Sequence, residues 1–171
     1  YIPEFENLKG AVSKNGKVLS EIKIDDPALS ISKAMTEEAC PFKLVSTDSL
    51  MTVLHLLNHE AGFYYATTNI YCLDSLLATK NLPTAKNSQE LIDLLAEMPL
   101  IQHPGTKHFY GTNTTVLGLV AERATGKSLK QLVEERLTKP LGIEGLQYGS
   151  HPNITLLPTF SAKDTILRKA Y

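Results

Sequence analysis

The chain lacks an excess of charge of either sign. Seventeen lysine and arginine residues stand against eighteen aspartate and glutamate residues, which gives a formal net charge of -1. Proteins that bind nucleic acid or an anionic membrane concentrate basic residues in clusters, and no such cluster occurs along this sequence. The sequence therefore predicts neither a nucleic-acid partner nor binding to an anionic membrane surface.

Long hydrophobic runs and a cysteine framework are missing as well. The longest apolar stretches are only a few residues long, whereas a helix that spans a bilayer needs roughly 20 residues. Cys40 and Cys72 are too few for a disulfide framework or a zinc site, and their spacing leaves open whether they pair. The first residue is Tyr1 rather than methionine, so the lack of a targeting segment does not fix the compartment.

What is present is the composition of a globular protein. The 171 residues are 43% hydrophobic and 20% charged, which is ordinary for folded domains and unlike disordered chains. A chain of this length suits one domain that buries most of a core. No internal repeat or low-complexity segment interrupts the sequence.

Short strands are predicted near the N-terminus. An Asn-Gly pair within Lys14–Lys17 indicates a tight hairpin, because such a pair tolerates the positive φ angles of a two-residue loop. Apolar residues on both sides supply an antiparallel ribbon: Val12 before the turn, and Val18, Ile22 and Ile24 after it. Residues 28–41 are expected to be irregular or one helical turn, and Phe42 to Val45 to form another short strand.

Periodic apolar residues predict five helices in the rest of the chain. They are expected from Thr52 to the terminator Gly62, from Ile70 to Ala78, from the cap Ser88 to Pro99, from Thr114 to the terminator Gly126, and from Leu129 to Leu137 before Pro140. The first helix should bury Val53, Leu54, Leu56 and Leu57, and Ser128 with Gln131 should form a capping box for the fifth. The residues from Gly142 onward are turn-rich and predicted to be loop.

Several ordered stretches carry a family resemblance. Met51 to Phe63 reads M-T-V-L-H-L-L-N-H-E-A-G-F, and Pro104 to Tyr110 reads P-G-T-K-H-F-Y. The helix that follows, from Val116 to Leu129, together with P-L-G-I at residues 140–143 and Y-I-P-E-F at residues 1–5, completes the set. In this order the stretches resemble the serine β-lactamase / penicillin-binding protein family, specifically its class C β-lactamase-related, esterase-like branch.

The resemblance implies a fold class and a domain organisation. We expect a mainly α chain with a small β-ribbon, corresponding to the helical subdomain of the β-lactamase/transpeptidase-like α/β fold. The whole chain would be a single partial domain. Its parts would be an irregular segment with the ribbon at residues 1–45, the helical subdomain at 46–143, and a loop-rich tail at 144–171.

The resemblance also implies acyl transfer. In this family a serine attacks an ester, amide or lactam carbonyl, a lysine three residues later helps to remove the proton, and a tyrosine moves the proton to the leaving group. Tyr110 falls on the position of that tyrosine. Members often continue Tyr-Ser-Asn or Tyr-Ala-Asn, whereas this chain continues with Gly111 and Thr112 and has Asn113 one place late, which favours an esterase. The chemistry requires no metal or organic cofactor.

A convincing nucleophile is missing from the sequence. Ser30-Ile31-Ser32-Lys33 has the letters Ser-x-x-Lys, but a short acidic segment ending at Pro41 follows it instead of a long apolar helix. It also lies after the Y-I-P-E-F stretch, whereas the family nucleophile lies before that stretch. A Lys-Thr-Gly or His-x-Gly strand is likewise absent after residue 143. We therefore expect the middle portion of a longer enzyme, inactive by itself.

The expected partners follow from this interpretation. A small acyl ester or amide would be the substrate of the intact protein, and the remaining part of the α/β domain would pack on this chain, in cis or as another chain. The alternative is a non-catalytic binding or assembly module that keeps the fold. His55 and His59, four residues apart, could share a helical face as metal ligands, but a third ligand is missing. Asn113 and Asn153 open glycosylation patterns, the first beside the expected cleft and unused.

Overall fold

The computed structural model describes residues 1–13, 42–65, 68 and 71–146, with only the backbone at residues 71 and 72. The predictions for the Lys14–Lys17 turn and for its following strand lie outside the described residues. So do those for Ser30 and Lys33, for the Asn153 pattern, and for the pairing of Cys40 with Cys72. Contacts between Cα atoms divide the chain into two compact units, Tyr1–Leu129 and Lys130–Tyr171.

The sheet in the described part of the chain is a two-stranded antiparallel ribbon. Strand β1 covers Lys9–Ser13 and strand β2 covers Phe42–Ser46, with Ala11 opposite Leu44. The prediction of a short strand from Phe42 is therefore confirmed. The segment around Leu100 borders β1 on its other side. Ala11 N–H donates to the Leu100 carbonyl at 2.7 Å, and Leu100 N–H donates to the Lys9 carbonyl at 2.8 Å.

Four helices of the first unit surround the apolar core. They are α1 at Val53–Leu57, α2 at Tyr71–Lys80, α3 at Ser88–Ala96 and α4 at Asn113–Thr125, with short 3-10 turns at Pro3–Phe5 and Leu82–Thr84. The capping of α1 by Thr52 is confirmed: its hydroxyl accepts from the His55 N–H at 3.2 Å, and its own N–H donates to His55 Nδ1 at 3.3 Å. Helix α4 ends at Gly126 as predicted, with a φ of 68° there.

The end and the apolar face of α1 differ from the prediction. The helix ends at Leu57 rather than at Gly62, because the chain turns at His59, whose φ is 56°, and Glu60 N–H donates back to the His55 carbonyl at 2.7 Å. So short a helix buries one residue, Leu56, while Leu54 stays 61% exposed and Leu57 58% exposed. The prediction that all four apolar residues of this helix face the core was wrong.

The start of α3 also differs from the prediction. Asn87 caps the helix rather than Ser88, since the Asn87 side-chain oxygen accepts from Glu90 N–H at 2.9 Å. An extended backbone at Asn87 allows this geometry. Ser88 instead donates its hydroxyl to the Glu122 carboxylate on α4. This bond connects the first turn of α3 to α4.

Two clusters of buried side chains form the core of the first unit. One fills the space between the N-terminal turn and helices α1, α3 and α4, and the other lies under β1 and α2. The first contains Phe5, Leu8, Leu56, Ala61, Phe63, Ile92, Leu95, Leu100, Val116 and Leu119. The second contains Ala11, Tyr64, Leu73, Met98 and Ile101.

The fifth helix is longer than predicted. Helix α5 at Leu129–Val133 continues as a wide π-type turn over Glu134–Thr138 and then as α6 at Lys139–Leu141. The prediction that Pro140 ends the helix was wrong. Proline is tolerated in the first turn of α6, where its missing N–H is not required. Gly142, with a φ of 62°, ends the helix instead.

The described part of the chain is thus mainly helical with a small β-ribbon, as the sequence predicted. None of its helices combines the length and the apolar character that crossing a bilayer requires. The division into 1–45, 46–143 and 144–171 stays a prediction.

Candidate active site

Tyr110 lies in the segment that leads into α4, and its side chain is 66% exposed. The imidazole of His59 stacks on its ring, with centroids 5.0 Å apart and planes 24° from parallel. Tyr65 packs at an angle on the same ring, with centroids 5.6 Å apart. The Tyr110 phenol therefore stands at the surface between two aromatic side chains and is not packed into the hydrocarbon core.

Helix α1 and the segment before α4 meet at this point. His59 follows α1, and its backbone carbonyl accepts from Phe109 N–H at 2.7 Å. The Glu60 carbonyl accepts from Gly105 N–H at 2.9 Å. The structure thus brings together two of the sequence stretches that carry the family resemblance, 51–63 and 104–110.

Asn113, the first residue of α4, is within hydrogen-bond distance of the His59 ring. Its side chain is fully buried, and Nδ2 lies 3.3 Å from the Phe109 carbonyl oxygen and 3.3 Å from His59 Nδ1. A carbonyl oxygen only accepts, so the amide nitrogen must face it, and the second amide hydrogen points at Nδ1. This geometry suits the tautomer in which Nδ1 accepts and Nε2, 3.5 Å from Thr114 Oγ1, is the donor. Burial of Asn113 is also incompatible with an attached glycan.

His55 takes no part in this arrangement. Its Nδ1 accepts from the Thr52 N–H, and its Nε2 lies 3.1 Å from the place where a Cβ on Gly105 would stand. His59 lies beyond the end of α1, so the two histidines do not share a helical face, and that interpretation of their spacing was wrong. Within the described residues, no group of three metal-ligating side chains gathers.

Gly111 allows the close contact of two backbone segments beside the phenol. A Cβ at this position would lie 2.1 Å from the Phe63 carbonyl oxygen and 2.6 Å from the Tyr64 Cα. A glycine is therefore required directly after Tyr110. This contact accounts for the glycine at the position where the Tyr-Ser-Asn and Tyr-Ala-Asn patterns have serine or alanine, and it does not bear on Thr112.

Tyr64 shows by contrast what a structural tyrosine looks like in this protein. Its side chain is buried in the cluster that contains Leu73 and Met98. Burial raises the pKa of its phenol far above the ordinary value, and the nearby Asp74 carboxylate raises it further. Tyr64 therefore stays protonated, whereas the Tyr110 phenol is open to solvent.

An exposed apolar surface lies on α1 and on the residues before it. Leu50 is 76% exposed, and Val53, Leu54 and Leu57 are exposed as well. A cavity of about 430 Å³ opens between Leu50, Val53 and the N-terminal residues, including Tyr1. Exposed apolar side chains that lie close together in the sequence make this surface a candidate interaction site. We refer to these four residues, 50, 53, 54 and 57, as the α1 face.

Comparisons with known proteins agree with the sequence stretches. The Beta-lactamase family model matches residues 17–165. ML-236A carboxylate methylbutanoyltransferase of Penicillium citrinum is 31% identical over 101 residues, covering 59% of this chain and 23% of that protein. Lovastatin esterase of Penicillium rubens is 34% identical over 101 residues, covering 57% and 24%. A putative D-alanyl-D-alanine carboxypeptidase of Escherichia coli O157:H7 is 29% identical over 132 residues, covering 74% and 28%.

Solved structures give partial superpositions. Simvastatin synthase from Aspergillus terreus matches with a TM-score of 0.49 and 25% identity, over 77% of this chain and 31% of that one. A D-stereospecific amidohydrolase from Streptomyces matches with a TM-score of 0.41 and 25% identity, over 71% and 35%. The chain spans about a quarter of the length of the curated relatives it matches. On the family match over residues 17–165, the chain belongs to the Beta-lactamase family.

Proposed function

We propose that this chain forms one wall of the acyl-transfer site of a β-lactamase-related serine hydrolase, with Tyr110 as the general acid and base. The observation that supports this most directly is the placement of the phenol. Tyr110 stands exposed at the entrance to α4, held between His59 and Tyr65, where a substrate can reach it. A tyrosine with only a structural role would be packed as Tyr64 is.

The proposed role of Tyr110 is to move one proton twice. Its phenolate oxygen accepts the proton of the attacking serine hydroxyl while the serine oxygen bonds to the substrate carbonyl carbon. Tyr110 then donates that proton to the leaving oxygen or nitrogen as the tetrahedral intermediate collapses to an acyl-serine. A phenol with an ordinary pKa of about 10 needs a nearby cation for this task, and in the family a lysine three residues after the serine supplies it.

The substrate class that we propose is an ester or amide of small size, with esters preferred. Two of the relatives are named as a methylbutanoyltransferase and an esterase. The Tyr-Gly-Thr sequence at residues 110–112 departs from the Tyr-Ser-Asn pattern of penicillin-recognising members, which likewise favours an ester substrate. The proton transfers require no metal and no organic cofactor.

The α1 face is the proposed docking surface for the rest of the catalytic domain. We propose that the chain is the helical subdomain of the β-lactamase/transpeptidase-like fold, and that the remaining α/β part covers Leu50 and Leu54, in cis or as another chain. The relatives, about four times as long as the matched region, contain enough chain to do so. The domain assignment of residues 1–45, 46–143 and 144–171 belongs to this proposal.

The central experiment uses the longer gene product that contains this chain. Tyr110→Phe should lower kcat/KM for p-nitrophenyl acetate by at least about 100-fold, as expected when a general acid and base is removed. Tyr64→Phe removes the hydroxyl of the buried structural tyrosine instead, so it is the matched control and should retain most of the activity. Unchanged turnover in Tyr110→Phe would exclude Tyr110 as the general acid and base. No turnover by the parent protein would instead favour a non-catalytic binding or assembly module, as would the absence of a Ser-x-x-Lys that opens an apolar helix upstream of Tyr1.

A second measurement tests the 171-residue chain by itself. We expect it to hydrolyse p-nitrophenyl acetate no faster than buffer, because the nucleophile and the oxyanion hole supply most of such catalysis. Ser30→Ala is the informative variant. If the 171-residue chain hydrolyses the ester and Ser30→Ala abolishes this activity, the nucleophile is present in the chain. That result would contradict the proposal that the serine belongs to another part of the protein.

A further inference from the structure

A second groove lies next to Tyr110, between α2, the 3-10 turn at Leu82–Thr84, α3 and the start of α4. Its volume is about 490 Å³, which is within the range of small-molecule sites. Ten residues line this α2–α3 groove: Tyr65, Leu77, Ala78, Asn81, Leu82, Pro83, Leu91, Leu95, Thr112 and Thr115.

The lining of the groove selects for an uncharged, apolar occupant. Six of the ten side chains are hydrocarbon, and none of the ten is charged. An anionic or cationic group placed there would lose its hydration without gaining a counter-charge. The lining therefore disfavours a carboxylate, a phosphate or an ammonium group and favours an aliphatic one.

One polar group in the groove still lacks a partner. Thr112 is only 8% exposed, and its hydroxyl oxygen, which has almost no accessible surface, has no hydrogen-bond partner among the described residues. A buried hydroxyl without a partner carries a free-energy cost, and a ligand oxygen would relieve it once the Thr112 side chain rotates to bring the hydroxyl into the groove. An occupant with an aliphatic body and one oxygen atom therefore fits the groove better than a pure hydrocarbon.

The groove reaches the proposed catalytic tyrosine. Tyr65 lines the groove and also packs against the Tyr110 ring, with centroids 5.6 Å apart. Thr112 lines the groove two residues after Tyr110. A molecule whose aliphatic part lies along Leu77 and Leu91 can therefore extend past Tyr65 towards the phenol.

We propose that the α2–α3 groove binds the aliphatic acyl part of a neutral ester substrate, and that the Thr112 hydroxyl donates a hydrogen bond to an oxygen atom of that ester. The assignment of the ligand as a substrate rests on the proposed function of Tyr110. The site itself does not, because binding can be measured in the 171-residue chain without any turnover.

The test is a titration of the 171-residue chain with methyl hexanoate, followed by the methyl resonances of its leucine and valine side chains. Saturable shift changes should appear at the groove and be absent from the cavity beside the α1 face. The groove reporters are Leu77, Leu91 and Leu95, and the reporters of the other cavity are Leu56, Val116 and Val120. Hexanoate, the charged counterpart of the ester, should bind at least about tenfold more weakly because its carboxylate would be desolvated.

Two variants with matched controls test the contacts. Thr112→Val should weaken the binding of methyl hexanoate by about threefold to tenfold, the range expected for one hydrogen bond, whereas Thr125→Val at the far end of α4 should not. Leu91→Trp should fill the groove and weaken binding by at least about tenfold. The chain contains no tryptophan, so the new indole also reports on folding. Leu50→Trp, at the α1 face, is its control.

The outcomes separate this proposal from that for Tyr110. Shift changes centred on Leu56 and Val120, equal binding of hexanoate, or unaltered binding in both groove variants would overturn the groove site. If methyl hexanoate binds as expected but Tyr110→Phe leaves turnover of the longer protein unchanged, the groove stands as a ligand site and the acyl-transfer role falls. If binding is absent while Tyr110→Phe is inactive, only the groove proposal falls.

Discussion

The imidazole of His59 lies nearly parallel to the phenol ring of Tyr110, with centroids 5.0 Å apart and an angle of 24° between the planes. The two residues are 51 positions apart in the sequence. His59 is held in turn by the buried amide of Asn113, which points at Nδ1. The orientation of the proposed catalytic tyrosine is therefore coupled to a histidine that would not itself touch the reacting atoms.

His59→Gln should loosen Tyr110 and lower the stability of the chain by about 1 kcal/mol, the usual size of a stacked aromatic pair. The measurement is urea unfolding together with the ring proton resonances of Tyr110, which should move towards their unfolded positions as the ring current of the imidazole is lost. His108→Gln is the control, since His108 is exposed and packs on His59 without a described contact to Tyr110. Equal effects of both substitutions would contradict a specific role for the stack.

Gly111→Ala should destabilise the first unit by about 3 kcal/mol or more, because the new methyl group would lie 2.1 Å from the Phe63 carbonyl oxygen, and a backbone segment would have to shift to relieve the overlap. Thermal unfolding followed by circular dichroism measures the loss. Gly145→Ala is the matched control, since a Cβ there meets no atom within 4 Å. If Gly111→Ala unfolds at the temperature of the parent chain, the close contact of the two backbones is not present in solution.

The ion pair between Glu4 and Arg123 predicts a stability change at acid pH. The Arg123 guanidinium, 2.8 Å from Glu4 Oε1, is the main reason that the pKa of this carboxyl is lowered to about 2, and the hydrogen bonds from the backbone and Gln89 contribute less. A carboxyl whose pKa is lowered by folding stabilises the protein above its unfolded pKa, and this contribution is lost as the pH falls towards the folded pKa.

Glu4→Gln should therefore melt below the parent chain at pH 6, and the difference should shrink between about pH 4.5 and pH 2. Melting temperatures of both proteins across this range provide the measurement. Glu6→Gln removes the same charge two residues away, without a described contact to Arg123, and controls for net charge. A gap between Glu4→Gln and the parent that persists unchanged at pH 2 would exclude the ion pair as its cause.

Leu54→Lys and Leu56→Lys, on two sides of α1, should differ strongly in their effect on the stability of the 171-residue chain. Leu54 is exposed, so Leu54→Lys should change the unfolding free energy of the 171-residue chain by no more than about 0.5 kcal/mol. Leu56 is buried, so Leu56→Lys should unfold the chain. In the longer gene product, by contrast, Leu54→Lys should lower the unfolding free energy, because the α1 face would be covered there. Equal stability of that variant and its parent would argue against docking at this face.

Local signals were sufficient for several elements of the fold. The hydroxyl of Thr52 and the left-handed tolerance of Gly126 act within one helical turn, and the structure has the α1 start and the α4 end where these residues predict them. The strand at Phe42 is likewise a matter of local pattern. Ser88 and Asn87 are both good caps, and only the contact of Ser88 with Glu122, 34 residues away, leaves Asn87 as the cap.

The error at Pro140 is local, whereas other errors concern features that depend on distant parts of the chain. An apolar side chain such as Leu54 is buried only if another element covers it, and periodicity does not say which elements are available. The role of His59 depends on the fold that carries Phe109 and Asn113 to it. Tyr110 was found through its sequence stretch, while its neighbours His59 and Tyr65 gave no signal of proximity, since their spacing to it has no local periodicity.

The two amide hydrogens of Asn113 have a mechanical consequence. One is directed at the Phe109 carbonyl, directly before Tyr110, and the other at the His59 ring, which stacks on Tyr110. A shift of the first turn of α4 would therefore move the phenol as well. Thr112 and Thr115 belong to the same turn and face the α2–α3 groove. A molecule bound in the groove would therefore be expected to displace residue 110 through α4, even when the molecule itself stops short of the phenol.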